Sequence, residues 1–142
     1  MRFTLGKNER LKSKKLIGKL YAEGSYIKVF PLKLNYLQIE HNSNYLARVG
    51  VSVSRRNFKR AVDRNKIKRL IRETYRKEKH FVYSEISQPY VFMISYIAKY
   101  KFKYADIEFR MKKLLALFVC KIKQNDALTK TEHFSSNNKM SE

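Results

Sequence analysis

The sequence predicts an α/β (α+β) two-layer sandwich, a single mixed β-sheet with helices packed on it. Three observations predict it. Residues 45–54 alternate with period two, so Val49, Val51 and Val53 point one way while Arg48, Gly50, Ser52 and Ser54 point the other. Tyr90 to Lys99, YVFMISYIAK, is apolar on both faces, as a buried central strand is. Segments following Ser13, Lys59 and Ala105 carry apolar residues at helical spacing. The element order is then helix, strand, strand, helix, strand, helix, with room for an extra hairpin strand.

Each element has its own local signal. Ser13 caps a helix over Lys14 to Ala22 with the stripe Leu16, Ile17, Leu20 and Tyr21, and Gly24 stands where a left-handed C-terminal residue belongs. The aliphatic members of that stripe pack on a core, whereas Tyr21 at its edge either does the same or stacks on a base. Ser25 to Leu37 reads as one strand broken by Pro31, at an edge or a bulge. Beyond the proline, Leu32, Leu34 and Tyr36 share one face and Lys33 and Asn35 the other. A turn containing His41, Asn42, Ser43 and Asn44 leads to the second strand, Tyr45 to Ser54. Its face of Arg48, Gly50, Ser52 and Ser54 is small and flat, suited either to a sugar-phosphate chain lying close or to ordinary solvation. A long helix covers 60–79, starting between Asn57 and Ala61. Asp106 caps the last helix, with the stripe Ile107, Met111, Leu114, Leu115, Phe118 and Ile122. The period is lost after Lys123, so 1–123 is expected to be the folded domain and 124–142 a polar, disordered tail.

Composition narrows the function class. The 142 residues suffice for one domain with a core, and 44% hydrophobic with 13% aromatic residues argues against disorder of the whole. The formal charge is +20. A domain so basic repels itself unless anions compensate, and nucleic acid is the commonest such partner. No run of 18 apolar residues offers a membrane span. The opening MRFTLGKNERLKSKK has no apolar core of a secretory signal. Cys120 is the single cysteine, which excludes a disulfide framework or thiolate zinc site and fits a reducing cytoplasm. Its apolar neighbours suggest an inert thiol.

The charge is concentrated in RAVDRNKIKRLIRETYRK, residues 60 to 77. On a helical wheel Ile67, Leu70, Ile71, Thr74 and Tyr75 gather on one side. Asn65, Lys68, Arg69, Arg72 and Arg76 gather opposite. Between Arg55 and Lys79 there are twelve Lys/Arg and three acids, Asp63, Glu73 and Glu78. Such a face cannot neutralise itself, and stacking Arg64, Lys68, Arg72 and Arg76 at i, i+4 costs about 0.2–0.5 kcal/mol per pair. An anionic partner accounts for it. A membrane partner is not expected, because the apolar side of this helix is needed for the core. DNA is not expected either, since the helix lies between strands of one sheet rather than in a helix-turn-helix setting. A basic helix beside an open sheet face favours a structured RNA plus a single strand.

At these residues the sequence resembles the protein subunit of bacterial ribonuclease P. That family carries a pattern like Ala-x-x-Arg-Asn-Arg-x-Lys-Arg-x-x-Arg. The chain reads Ala61-Val62-Asp63-Arg64-Asn65-Lys66-Ile67-Lys68-Arg69-Leu70-Ile71-Arg72. Gly50-Val51-Ser52-Val53-Ser54-Arg55-Arg56 is similar to the family's strand end, and Arg10-Leu11 through Gly24 to its N-terminal segment. The resemblance covers roughly residues 8–123.

The resemblance implies a left-handed β-α-β crossover, as in a domain of a small-subunit ribosomal protein. It also implies a role in removing the 5′ leader of precursor tRNA by metal-assisted hydrolysis. The RNA subunit would carry the catalysis and bind the magnesium, with no cofactor held by this chain. Together with the charge pattern, it leads us to expect Arg55, Arg56, Lys59, Arg60, Arg64, Asn65, Lys66, Lys68, Arg69 and Arg72 at the RNA subunit. Ile17, Tyr21, Lys33, Asn35, Arg48, Ser52 and Ser54 are expected in or near the leader cleft. The partners are thus ribonuclease P RNA and precursor tRNA. Lys66 departs from the family Arg, keeping the charge but losing the planar two-pronged contact. Ile17 and Asn35 stand where the family has cleft aromatics, with Tyr36 facing away. Two rivals remain: a nuclease acting alone, for which no carboxylates or histidines have ligand-like spacing, and a ribosomal or RNA-chaperone protein.

Overall fold

The structure is a computed structural model and describes residues 10–11, 13–39 and 47–140. Helix α1 covers Lys14–Glu23, strands β1 Ser25–Val29, β2 Leu32–Gln38 and β3 Ala47–Val53, helix α2 Ala61–Glu85, strand β4 Tyr90–Tyr96, and helix α3 Tyr104–Met140. The turn expected around His41 to Asn44 and the strand start at Tyr45 lie outside the described residues.

The four strands form one mixed sheet in the order β1-β2-β4-β3. β1, β2 and β4 run antiparallel in sequence, while β3 lies parallel to β4, joined to it through α2. The fully apolar β4 is therefore central, as its two-faced pattern requires. Ser25 to Leu37 is not one interrupted strand. It is a hairpin that turns at Phe30-Pro31, a cis peptide bond, and pairs Val29 with Leu32. The proline lacks a ladder donor, so a turn between two strands suits it as well as a bulge does.

Strand alternation assigns every residue to a face. Leu32, Leu34, Tyr36, Val49, Val53, Tyr90, Phe92, Ile94 and Tyr96 join the main core under α2 and α3. All six residues of the expected α3 stripe are buried there. Phe118 meets Tyr36, Tyr90 and Phe92 edge-on at 5.0–5.4 Å, a favoured geometry for aromatic rings. α1 covers part of the opposite face, where Leu11, Leu20, Val91 and Met93 are buried with Leu16, Ile17, Leu37 and Ile39 against them. The sheet and the α2–α3 pair are the two expected layers, and α1 adds a partial third.

Local details revise four expectations. Ser13 does cap α1, its Oγ accepting the Leu16 N–H at 3.3 Å. Gly24, however, is extended (φ −77°, ψ 167°) rather than left-handed. A side chain there would run into the backbone carbonyls of Leu20 and Tyr36, the latter 2.7 Å from an added Cβ. Close packing, not dihedral freedom, demands the glycine. α2 runs six residues past the expected end, because Val82 continues the buried stripe of Ile67, Ile71, Thr74 and Tyr75. α3 begins at Tyr104, so Asp106 sits in its first turn instead of capping it. Finally, Cys120 is exposed between buried Val119 and Ile122, not sunk in an apolar stretch.

Candidate nucleic-acid interface

Two surfaces emerge, one on α2 and one on the sheet. On α2, Ile67, Ile71, Thr74 and Tyr75 are buried, and the Thr74 hydroxyl donates to the Leu70 and Ile71 carbonyls at 3.0 and 2.9 Å, which satisfies it inside the core. Outward lie Asn65, Lys66 and Arg69, exposed, with Lys68, Arg72 and Arg76 half-buried. Arg55, Arg56, Lys59 and Arg60 are exposed on the segment leading in, and the Ser54 Oγ accepts the Arg56 N–H at 3.1 Å.

Of the acids along α2, Glu73 acts on Lys77, and the others pair with lysines off this face. Asp63 takes Lys101 at 2.8 Å, Glu78 takes Lys112, Glu85 takes Lys123 at 2.6 Å, and Glu108 takes Lys77 and Lys112. Those lysines belong to α3, the loop before it, or the second half of α2. Among the described residues no ion pair engages Arg55, Arg56, Lys59, Arg60, Arg64, Lys66, Lys68, Arg69, Arg72 or Arg76. Apart from Asp63, whose charge also acts on Arg60 and Lys66, the first half of α2 thus keeps its positive charge uncompensated.

Arg64 and Arg72 differ from the rest of that face. Arg64 donates from Nη1 to the Phe58 and Lys59 carbonyls at 2.9 and 2.8 Å. It thereby fixes the entry to α2, whose N-cap residue Arg60 makes no side-chain cap bond. Arg72 is half-buried, and its guanidinium pKa is pushed down by burial and then by the nearby Arg10. Arg10 itself bridges in parallel to Val49, and the Leu11 N–H donates to the Val49 carbonyl at 2.8 Å. Arg10 and Leu11 therefore lie along the outer edge of β3 and bring a second arginine toward α2. Two cations near enough to act on each other, with no ion pair to either among the described residues, favour an anion between them.

The second surface is the face of the sheet that α1 leaves open. Register places Tyr26, Asn35, Met93 and Gly50 in one row across the strands, and Lys28, Lys33, Ser95 and Ser52 in the next. A third row holds Leu37, Val91 and Arg48. α1 seals Leu37, Val91 and Met93, so the lysine-serine row remains as a polar floor beside the helix. Ile17 is half-buried against that seal and Tyr21 is 52% exposed. Asn35 is buried, Arg48 half-buried with its Nε unpartnered, Ser52 half-buried and Ser54 exposed just past the strand end. The expected cleft residues Lys33, Asn35, Arg48 and Ser52 do share one face.

Sequence reading missed Tyr26, Lys28 and Ser95 on this floor. Tyr26 sits directly opposite Asn35, is 58% exposed, and carries the Lys33 Nζ 4.6 Å from its ring centroid. An aromatic thus stands one strand away from the position where Asn35 had removed one. The period-two spacing of Tyr26 and Lys28 was visible, but only the hairpin pairing sets them beside Asn35 and Lys33.

A mixed α+β sheet with a cationic face on α2 and a polar, aromatic-edged floor places the chain among basic α+β domains, the class in which ribonucleoprotein subunits fall. The sequence matches the Ribonuclease P family model over residues 5–119. The chain belongs to the ribonuclease P protein family. It is similar to the ribonuclease P protein component of Borreliella burgdorferi, 35% identical over 111 residues that cover 77% of this chain and 88% of the relative. It is 43% identical over 81 residues to the component of Porphyromonas gingivalis, covering 56% of this chain and 58% of that relative. In the Porphyromonas comparison the match thus spans under two thirds of the relative's length. Among solved structures, the Staphylococcus aureus RNase P protein superposes with a TM-score of 0.60 at 25% identity, covering 77% of this chain and 94% of that one. The RNase P protein from Thermotoga maritima shares the fold, with a TM-score of 0.60 over 75% of this chain and 94% of its own at 21% identity.

Proposed function

We propose that this chain is the protein subunit of a ribonuclease P ribonucleoprotein, binding the catalytic RNA and the 5′ leader of precursor tRNA. The observation that carries the reading is the charge separation. Acids pair along the α2–α3 seam, while the cations from Arg55 to Arg76 have no ion-pair partner among the described residues. A phosphate backbone supplies that counter-charge and releases counterions on binding.

Arg55, Arg56, Lys59, Arg60, Asn65, Lys66, Lys68, Arg69 and Arg72 form the docking face, and Arg64 positions it. The single-stranded leader lies along the floor of Lys28, Lys33, Ser95 and Ser52, with Tyr21 and Tyr26 offering ring faces to its bases. By holding leader and RNA subunit together, the chain raises the effective concentration of one near the other. The hydrolytic chemistry and its magnesium belong to the RNA. Among the described residues no three His, Cys, Asp or Glu converge to hold a metal ion, and Asp63, Glu78, Glu85 and Glu108 face lysines.

A salt titration of binding to a ribonuclease P RNA tests the docking face. Affinity should fall steeply with salt, and Arg69→Ala should reduce the slope by roughly one unit. A slope equal to wild type would remove Arg69 from the interface. Absence of binding at low salt would overturn the reading and favour a different RNA partner.

A further inference from the structure

The end of the sheet next to the α2 entry carries an aromatic cluster that lies outside both the docking face and the leader floor. The loop between β4 and α3 runs Lys99-Tyr100-Lys101-Phe102-Lys103, alternating cations with rings. Tyr100 stacks on Phe102 with centroids 5.2 Å apart and planes 17° off parallel. Phe30, from the β1–β2 turn, meets Phe102 at 5.8 Å and Tyr100 at 6.3 Å. Phe102 packs on the core, so its burial is structural. Tyr100 and Phe30 are not so used: they are 59% and 41% exposed.

The cluster is held in place. The buried Tyr96 hydroxyl donates to the Tyr100 carbonyl at 2.7 Å and accepts the Phe102 N–H at 3.0 Å. The Ile97 N–H donates to the Pro31 carbonyl at 2.9 Å, tying loop to turn. Lys101 is spent on Asp63 at 2.8 Å, and that bond places the loop against the first turn of α2, one residue before Arg64. Lys99 and Lys103 remain exposed on either side of the rings.

Pre-positioned ring faces flanked by free cations suit unpaired nucleotides, whose bases stack while their phosphates meet the lysines. An apolar protein partner fits less well, since three lysines in five residues would have to be desolvated against it. We infer that Tyr100 and Phe30, framed by Lys99 and Lys103, form a stacking platform for an unpaired nucleotide of the RNA subunit, continuous with the α2 docking face. This rests on the proposed function, and the RNA subunit is chosen over the leader because the Asp63–Lys101 bond joins the platform to α2.

The test compares full-length wild type, Tyr100→Leu and Tyr100→Phe for binding to ribonuclease P RNA across a salt series. Tyr100→Leu keeps apolar bulk but removes the ring, so affinity should drop about tenfold with the salt slope unchanged, because stacking releases no counterions. Tyr100→Phe should retain wild-type affinity. A benzophenone side chain at position 100 should cross-link to a single-stranded nucleotide of the RNA subunit. Equal affinity for wild type and Tyr100→Leu overturns the platform alone, as do cross-links confined to the leader. A wild-type chain that does not bind the RNA overturns the functional reading beneath it.

Discussion

Arg64 reaches back across its own helix start, its Nη1 donating to the Phe58 carbonyl at 2.9 Å. A second bond, to the Lys59 carbonyl at 2.8 Å, makes the guanidinium a clamp on the segment that leads into α2. Hydrogen bonds from a charged donor are worth about 1.5–3 kcal/mol when protected and less in solvent. One of these is part-buried and the other exposed, so Arg64→Ala should cost about 1–2 kcal/mol of stability, read by urea unfolding. Arg69→Ala, on the exposed face, should change stability by less than about 0.5 kcal/mol while weakening RNA binding. Equal stability losses in the two variants would contradict the division between clamp and contact.

Gly24 makes a second prediction about the fold that frames the cleft. An added Cβ would stand 2.7 Å from the Tyr36 carbonyl oxygen, and backbone cannot swing aside as a side chain can. Gly24→Ala should therefore destabilise by about 1–3 kcal/mol. At Gly50 the obstacle is the Met93 Cε at 2.8 Å, the end of a flexible side chain. Gly50→Ala should cost clearly less, and the comparison by thermal or urea unfolding checks the cause assigned to each glycine.

Asp63 links the α2 entry to pH. Its carboxyl pKa is lowered, first by the hydrogen bond from Lys101 and then by the charges of Lys101, Arg60 and Lys66. A carboxylate with a depressed folded pKa stabilises the protein above the unfolded value, here 3.8, and loses that contribution as pH falls through the folded value. Wild type and Asp63→Asn should thus differ by a constant amount between about pH 5 and 8 and converge below the ordinary carboxylate range. A gap that persists undiminished at the acid end would show that the Lys101 bond is not its source.

Tyr26 should separate leader binding from RNA-subunit binding. Loss of one stacked base costs about 1–3 kcal/mol, or roughly five- to hundredfold in affinity. Tyr26→Ala should weaken the holoenzyme's affinity for precursor tRNA by an amount in that range, leaving mature tRNA and the free RNA subunit unaffected. Equal losses for precursor and mature tRNA would place Tyr26 outside the leader's path.

Much of this was legible because period and charge report directly on burial. The alternation of Val49, Val51 and Val53 against Arg48, Gly50 and Ser52 assigned the two sheet faces, and the α3 stripe named six residues that are all buried. What stayed hidden depends on pairing. Pro31 explains a break in a strand equally well as a bulge or as a hairpin turn, and only the hairpin brings Tyr26 beside Asn35. Lys79 puts a charged residue on the buried side of α2 between Tyr75 and Val82, so the apolar stripe read from sequence ends before the helix does. Arg64 could be read as charge, but not as a clamp, because its donors go to carbonyls that every residue possesses. The Tyr96 hydroxyl, which fixes the Tyr100 loop from a strand already assigned to the core, is hidden for the same reason.

The proposed role of this chain is to assist an RNA catalyst. It is tested most directly by cleavage of precursor tRNA at low magnesium with a ribonuclease P RNA, the chain, or both. Removal of the 5′ leader should be fast only with both present, and absent with the chain alone. Cleavage by the chain without RNA, or an RNA whose rate the chain leaves unchanged, would contradict the account.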